Sequence, residues 1–281
     1  MDRFLFAVLL VMVSPVPGWA GDGYVARMAK EHAGDEPVAS TAAAALPEQE
    51  VEDGEVVYAR VGETPVRGFL ARPKGTGEGL PGIVVIQEWW GLNDNIRSMA
   101  RQLAGQGYTA LAVDLYGGEV ASTPEDARRL MSAAMDDRPG REENLRQAVQ
   151  YLHEELGARR VGVIGWCFGG FWSLQSALIA PEDVDAAVIY YGRPETDRER
   201  LSKLQAPVLG HYGALDGGIP VASVKQLDKD LAELGKDATL YVYEGADHAF
   251  ANPSGTRYAK EAAELAWTRT LDFFAAQLKA D

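Results

Sequence analysis

The sequence of 281 residues predicts an α/β fold, with helices on both faces of a mostly parallel sheet, built as a single domain. Short apolar runs alternate with amphipathic stretches from about residue 55 to the C-terminus, and the connections between them are short. This alternation is typical of parallel strands that are linked by crossover helices. The run Gly82–Ile86 is apolar throughout, as expected of a strand that helices cover on both sides.

The strands are predicted from runs of aliphatic, β-branched and aromatic residues between turn signals. Glu55–Val61 and Val66–Ala71 alternate in polarity and predict a hairpin that is joined through Gly62 and Pro65. The later runs are more uniformly apolar, which places them inside the sheet. They are Gly82–Ile86, Thr109–Leu115, Arg160–Trp166, Val184–Tyr191, Ala206–Tyr212 and Thr239–Tyr243.

Helices are predicted where apolar residues recur every three or four positions, so that one face is buried. Glycine or proline follows several of these stretches and marks their ends. The predicted helices are Asn93–Gln106, a stripe from Leu145 to Leu156, Phe171–Ala180, and a final helix that carries Trp267, Leu271, Phe274 and Leu278 on one face.

The first 50 residues differ in composition from the rest of the chain. Residues 1–20 contain an apolar run of ten residues and end in Gly18-Trp19-Ala20, which predicts a signal peptide that is cleaved after Ala20. An uncleaved N-terminal anchor is the alternative. Residues 21–50 are rich in Ala, Gly, Glu and Pro and predict a flexible tether with a marginal helix around Val25–Glu31. The folded domain is then residues 51–281, exported to the periplasm or secreted.

Charge and cysteine content exclude several classes of protein. The formal net charge is −14, from 27 Lys+Arg and 41 Asp+Glu, and it disfavours binding to nucleic acid or anionic lipid. With one cysteine, no intramolecular disulfide is possible. No His/Cys/Asp cluster shows metal-ligand spacing, so we expect no metal and no organic cofactor. We expect a monomer that leaves the membrane once the leader is removed.

The segment from Val161 to Gly170 contains the candidate nucleophile. An apolar strand runs into Gly165-Trp166-Cys167-Phe168-Gly169, and an apolar helix follows. This matches the strand–turn–helix motif Gly-x-Ser-x-Gly with sulfur in place of oxygen. The helix N-terminus would lower the pKa of the thiol, and the Phe168 N–H would offer an oxyanion donor. A buried core cysteine beside a glycine turn is the alternative.

The remaining members of a catalytic triad are sought in loops that follow later strands. Asp216 is the acid in the loop after Ala206–Tyr212, and His248 lies in a glycine-led loop before the last helix. Asp247 is a rival acid, but it is the sequence neighbour of the histidine. The other three histidines are not predicted to be the base. His32 is predicted to lie in the tether, His153 on a surface helix, and His211 within a strand as a structural residue.

Taken together, these motifs resemble the dienelactone hydrolase family of α/β-hydrolases, from about Glu55 to the C-terminus. The stretches that carry the resemblance are Gln87-Glu88-Trp89-Trp90-Gly91, Asp114-Leu115-Tyr116, Gly165-Trp166-Cys167-Phe168-Gly169-Gly170, Tyr190-Tyr191-Gly192, Asp216 and Gly245-Ala246-Asp247-His248-Ala249-Phe250. The resemblance implies an α/β-hydrolase fold. It also implies that Glu88 contacts the thiol and takes its proton, and that the Trp89 N–H is the second oxyanion donor.

The sequence departs from that family at two positions. Members that act on dienelactones hold the substrate carboxylate with two arginines, and Gly118 and Asn252 stand at the matching positions here. Without guanidinium groups a carboxylate loses its bidentate partners, so dienelactone is not expected to be the natural substrate. Aromatic side chains are expected to line an acyl pocket, chief among them Trp90, Tyr116, Tyr191 and Phe250.

The sequence thus predicts an exported cysteine hydrolase that cleaves small esters or lactones through a thioester acyl-enzyme. Two alternatives stay open. One is a thioesterase or acyltransferase on the same fold, which competition between acyl acceptors and water would reveal. The other is a non-catalytic protein that binds small esters, since a fold does not fix a function.

Overall fold

The computed structural model describes residues 21–35 and 46–279. An eight-stranded sheet forms the centre, in the order β1-β2-β4-β3-β5-β6-β7-β8. The strands are β1 (Val51–Val61), β2 (Thr64–Pro73), β3 (Gly82–Ile86), β4 (Thr109–Val113), β5 (Val161–Trp166), β6 (Ala186–Tyr190), β7 (Val208–Gly213) and β8 (Ala238–Tyr243). The pairs β1/β2 and β2/β4 are antiparallel, and all later neighbours are parallel.

Helices connect the strands and cover the sheet. They are α1 (Gly21–Glu31), α2 (Asp94–Gly105), α3 (Pro124–Asp136), α4 (Arg138–Glu154), α5 (Phe168–Ile179), α6 (Arg198–Ser202), α7 (Val221–Glu233) and α8 (Lys260–Leu278). Within the described residues, no helix combines the length and the apolar character that a membrane crossing requires.

Two glycines show that helices cover both faces of the sheet. A Cβ on Gly82 of β3 would meet Leu152 of α4, whereas a Cβ on Gly162 of β5 would meet Phe274 of α8. Gly82 pairs with Val161 in the parallel register, so Gly162 points to the opposite face. The fold class predicted from the sequence, an α/β-hydrolase-type sheet between helices in one domain, is confirmed.

Most predicted elements are found, with shifted ends. Strand β1 begins at Val51, four residues before the predicted start, because it pairs with β2 over its whole length. Helix α5 begins at Phe168, three residues earlier than predicted from its apolar face. Gly169 and Gly170 weaken a helix signal in the sequence, yet here they lie inside the helix.

The segment predicted as a flexible tether, residues 21–50, is partly folded. Residues 21–35 of this segment form α1 and the turn that follows, and they dock on the domain instead of extending from it. Tyr24, Met28 and His32 lie on one helical face and are almost fully buried, with exposed fractions of 1, 0 and 2%. The flexible-tether prediction is therefore wrong for residues 21–35. The predicted leader, residues 1–20, lies outside the described residues.

His211 of β7 has the structural role that the sequence predicts. Its Nδ1 lies 2.9 Å from the Tyr243 hydroxyl and its Nε2 lies 3.1 Å from the Thr270 hydroxyl. Burial, with a smaller effect of Arg269, lowers the pKa of this imidazole to about 3. The neutral ring is thus part of the core.

This depressed pKa predicts a loss of stability in acid. Between the unfolded pKa of about 6.5 and the folded value, the unfolded chain binds one proton more at His211 than the folded chain. The free energy of unfolding should therefore fall by about 1.4 kcal/mol per pH unit as the pH drops through this window. His211→Gln should remove that part of the slope in urea titrations, and Tyr243→Phe, which keeps the imidazole, should retain it. Equal slopes in wild type and His211→Gln would contradict the assignment.

Candidate active site

Cys167 occupies a sharp turn between β5 and α5. Its backbone angles are φ 53° and ψ −112°, a left-handed region that non-glycine residues seldom adopt. Its N–H donates to the Tyr190 carbonyl at 3.0 Å, which fixes the turn against the neighbouring strand. Such strain persists where the surroundings hold it, and it is common at catalytic nucleophiles.

The glycines on either side of Cys167 allow strand and helix to approach closely. A Cβ on Gly165 would lie 2.1 Å from the Gly169 carbonyl oxygen. A Cβ on Gly169 would lie 2.4 Å from the carbonyl oxygen of Ile86, at the end of β3. The Gly-x-Cys-x-Gly spacing is therefore a steric requirement of this turn.

Gly165→Ala is expected to destabilise the protein by about 1–3 kcal/mol, because the methyl group can be placed only by moving backbone. Urea unfolding followed by circular dichroism measures the change. Gly77→Ala is the matched control, because no atom lies within 4 Å of a Cβ at that position. A midpoint for Gly165→Ala equal to that of the control would show that the turn tolerates a side chain.

Asp216 and His248 meet Cys167 at the carboxyl edge of the sheet. The Nε2 of His248 lies 3.2 Å from the Cys167 Sγ, and its Nδ1 lies 2.8 Å from the Asp216 Oδ2. The second carboxylate oxygen of Asp216 accepts the N–H groups of Gly218 and Ile219 at 2.8 and 2.7 Å. These bonds fix the carboxylate, and the carboxylate in turn orients the imidazole.

Asp247, the rival acid, points elsewhere. Its Oδ1 accepts the backbone N–H of His248 at 2.6 Å, so it shapes the loop rather than the imidazole. The structure therefore brings together the three residues Cys167, Asp216 and His248 that the sequence singled out.

The thiol and the imidazole shift each other's pKa. Burial opposes ionisation of Cys167, but the facing His248, with His32 nearby, lowers the pKa of the thiol below its usual range. Burial also opposes protonation of His248, but the sulfur of Cys167 and the Asp216 carboxylate raise the pKa of the imidazole above its usual range. Both shifts favour the pair of thiolate and imidazolium over the pair of thiol and neutral imidazole.

Glu88, directly after β3, is buried beside the triad. Its carboxylate accepts the Tyr191 hydroxyl at 3.3 Å and the Asn252 side-chain amide at 2.7 Å. Burial, with a smaller effect of Cys167, raises the pKa of this carboxyl to about 7. The contact with the thiol that the resemblance implies is not among the hydrogen bonds of the described residues. Instead, Asn252 holds the Glu88 carboxylate.

The chain is similar to proteins of a known family. The family model described as "Dienelactone hydrolase family" matches residues 66–278. The chain belongs to the dienelactone hydrolase family. It is a carboxylic ester hydrolase by that membership, acting on ester or lactone bonds.

Individual relatives agree with the family assignment. A protein of Aquifex aeolicus, provisionally named a carboxymethylenebutenolidase, is 31% identical over 80% of this chain and 100% of its own length. A Bradyrhizobium protein provisionally named a 2-oxo-3-(5-oxofuran-2-ylidene)propanoate lactonase is 30% identical over 72% of this chain and 86% of its own. The crystal structure of a provisionally named dienelactone hydrolase from Klebsiella pneumoniae has a TM-score of 0.73 at 29% identity, covering 81% of this chain and 99% of that one.

The two departures from dienelactone hydrolases that bind carboxylates have structural consequences in this family member. Gly118 has φ 92°, and its N–H donates to the Asp114 carboxylate, so this position favours glycine over arginine. Asn252 donates to Glu88 and is nearly buried. Neither position offers a positive charge toward the site.

The four residues predicted to line an acyl pocket are all buried, at different distances from the triad. Tyr191 contacts the His248 ring at 5.2 Å between centroids, and Phe250 packs behind Tyr191 at 5.4 Å. Trp90 contacts Trp89, and Tyr116 contacts Phe168. Tyr191 therefore lies beside the triad, and the other three support the residues that line it. A cleft lined in part by Glu88, Tyr191 and Asn252 opens on this side.

Helix α1 covers the other side of the thiol in this dienelactone hydrolase family member. The Met28 Sδ and the His32 Nε2 each lie 3.7 Å from the Cys167 Sγ, which is fully buried. The His32 ring stacks on Trp89 with centroids 4.4 Å apart. We call residues 21–35 the α1 cover.

Arg257 anchors the α1 cover. Its guanidinium donates to Asp35 at 2.7 Å and to Glu31 at 3.4 Å, and Asp35 also accepts from His32 Nδ1 at 2.7 Å. Hydrogen bonding to Asp35 and to Cys167, against the effect of burial, raises the pKa of His32. The cover is thus held by charged hydrogen bonds as well as by apolar packing.

Sequence reasoning missed the residues of the α1 cover. The family match begins at residue 66, so no family pattern includes them. The spacing of Tyr24, Met28 and His32, four residues apart, was the available signal. The structure also brings the ligand atoms of His32, Cys167 and His248 within 4.8 Å of one another. These three residues lie far apart along the chain, so their grouping depends on the fold and has no metal-ligand spacing in the sequence.

Proposed function

We propose that the protein is an exported cysteine hydrolase that cleaves small neutral esters or lactones through a thioester acyl-enzyme. The contact of 3.2 Å between His248 Nε2 and Cys167 Sγ, on a strained turn at a helix N-terminus, carries this proposal. The Asp216 carboxylate behind His248 completes the order expected of such a triad.

In the acylation step, the Cys167 thiolate attacks the substrate carbonyl carbon and the carbon–sulfur bond forms. The carbonyl electrons move to oxygen. When the tetrahedral intermediate collapses, the bond to the alkoxy oxygen breaks, and His248 gives its proton to that leaving oxygen. Water then attacks the thioester with His248 as the base, which releases the acid and returns the proton to the imidazole.

The oxyanion is assigned to the N–H groups of Phe168 and Trp89. Phe168 is the first residue of α5, so its N–H has no carbonyl one turn earlier in the helix. Trp89 follows Glu88 after β3, and its side chain is fully buried. Two amides that point at the developing charge supply most of the stabilisation in reactions of this type.

His248, not Glu88, is assigned the thiol proton. The raised pKa of the imidazole and the lowered pKa of the thiol support this assignment. Glu88 is engaged by Tyr191 and Asn252, so we assign it the role of shaping the substrate side of the triad.

The substrate class follows from charge. Positions 118 and 252 carry no guanidinium, and Glu88 adds a partly ionised carboxyl to the cleft. A neutral ester or lactone is therefore favoured over one that bears a carboxylate. The Bradyrhizobium relative is named for a lactone, which supports the choice of bond. Export rests on the leader predicted at residues 1–20.

Trapping the acyl-enzyme tests the proposal. The protein is mixed with p-nitrophenyl acetate, quenched in acid and measured as intact protein by mass spectrometry. We expect one acetyl group per chain, mapped to Cys167 by peptide analysis, and none in Cys167→Ala. Acetylation at another residue, or turnover by Cys167→Ala at the wild-type rate, would remove Cys167 as the nucleophile.

A further inference from the structure

Two aspartate–histidine pairs approach the same sulfur, and the ligand atoms of the two histidines and the cysteine lie within 4.8 Å of one another. His248 presents Nε2 to Cys167 and donates through Nδ1 to Asp216, and His32 does the same with Asp35 as its carboxylate partner. The hydrolase mechanism uses only the first pair. The second pair belongs to the α1 cover, outside the segment that the family model matches.

The two sulfur–nitrogen distances are close to those of a tetrahedral metal centre. Zinc bonds of about 2.3 Å to sulfur and about 2.0–2.1 Å to nitrogen separate S and N ligands by about 3.6 Å in a tetrahedron. The two sulfur–nitrogen distances here are 3.2 and 3.7 Å. We propose that Cys167, His248 and His32 form a Zn²⁺ site that exists only while α1 is docked.

The groups around the three ligands also suit a metal site. A carboxylate oxygen lies 2.7 Å from the Nδ1 of His32 and 2.8 Å from that of His248, which favours the proton on Nδ1 and the Nε2 lone pair for the metal, as is usual for metal-binding histidines. The Arg257 guanidinium also lies 3.2 Å from the Nδ1 of His32. Stacking on Trp89 fixes the plane of the His32 ring. The Met28 Sδ, 3.7 Å from the Cys167 Sγ, is a further soft donor close to the thiol.

Zinc binding at this site would inhibit ester hydrolysis, a consequence that rests on the proposed function. The ion replaces the proton that Cys167 and His248 share, and that proton is released to solvent. Thiolate and imidazole lone pairs then bond to the metal, so both nucleophile and base are engaged. No electron is transferred. Because α1 supplies one ligand, the ion also ties the α1 cover over the thiol.

Cobalt titration of the purified, metal-free protein tests the site, since Co²⁺ takes zinc positions and its thiolate and tetrahedral bands are visible in absorbance. We expect one Co²⁺ per chain, with a thiolate charge-transfer band that Zn²⁺ displaces. His32→Gln should bind at least about tenfold more weakly. His32→Cys, under reductant, should restore tight binding with a stronger charge-transfer band, which a merely structural role of His32 would not produce.

His153→Gln is the matched control, because His153 lies on α4 with its ring nitrogens on the carbonyls of Ala158 and Asp183. Equal Co²⁺ affinity in wild type and His32→Gln would overturn the proposal, since only the catalytic pair would then bind the ion. Absence of a thiolate band in wild type would overturn it as well. Ester hydrolysis by the metal-free protein is measured in parallel. Cobalt bands in a protein that does not hydrolyse esters would contradict the proposed function but not the metal site. Ester hydrolysis by a protein that shows no cobalt bands would contradict the metal site but not the proposed function.

Discussion

Asp216→Asn is expected to lower kcat for ester hydrolysis by about 10⁴-fold, the loss known for the equivalent change in a serine protease triad. The expected loss depends on the two hydrogen bonds that the Oδ1 of Asp216 accepts. Gly218 and Ile219 donate N–H groups to Oδ1, so an asparagine would keep its carbonyl oxygen there. Its NH₂ group would then face His248 Nδ1, at the place of the Asp216 Oδ2.

The side-chain amide of the asparagine would favour the inactive tautomer of the His248 imidazole. An NH₂ group donates to Nδ1, so the single proton of the neutral imidazole moves to Nε2 and faces the Cys167 sulfur. The ring can then no longer take the proton of the thiol. Steady-state hydrolysis of p-nitrophenyl acetate measures the loss.

Asp247→Asn is the control for this prediction. Asp247 binds the backbone N–H of His248 and not its ring, so its amide should reduce kcat by less than about tenfold. If Asp247→Asn lost as much activity as Asp216→Asn, the carboxylate partner of the histidine would have to be reassigned.

Features that depend on local sequence could be predicted. The turn at Cys167 needs glycines two residues before and after it, and that pattern is visible in five consecutive residues. The acid and the base could be found because parallel strands bring their carboxyl ends to one edge, so loops after successive strands converge. Topology and short motifs together thus placed Cys167, Asp216 and His248.

Features that depend on distant partners could not be predicted. Met28 and His32 lie on a segment poor in aliphatic residues, and their burial depends on Cys167, Trp89 and Arg257 far along the chain. Asn252 stands out in the sequence as a missing arginine, yet its contact with Glu88, 164 residues away, gives it a place in the site. Contacts between residues so far apart along the chain leave no regular spacing in the sequence, so they could not be predicted from it.

Weakening the α1 cover is expected to expose the nucleophile. Arg257→Ala removes the hydrogen-bond partner of Asp35 and Glu31. Hydrogen bonds to charged groups stabilise by about 1.5–3 kcal/mol, so the docked position of the α1 cover should lose about that much free energy. If the thiol reacts only when α1 lifts, the rate of Cys167 modification by a disulfide reagent should rise about 10–100-fold, since about 1.4 kcal/mol is a factor of ten. Stopped-flow absorbance with dithionitrobenzoate measures this rate.

The matched control is Arg72→Ala, which breaks an ion pair between β2 and β1 whose side chains are 36% and 43% exposed. Its thiol should react at the wild-type rate. Ester hydrolysis distinguishes the two roles of the cover. Because Arg257 touches neither the triad nor the proposed oxyanion donors, an opening step before binding predicts that kcat/KM rises with thiol reactivity. An unchanged thiol rate in Arg257→Ala would mean that reagents reach Cys167 from the Glu88–Tyr191 side, with α1 in place.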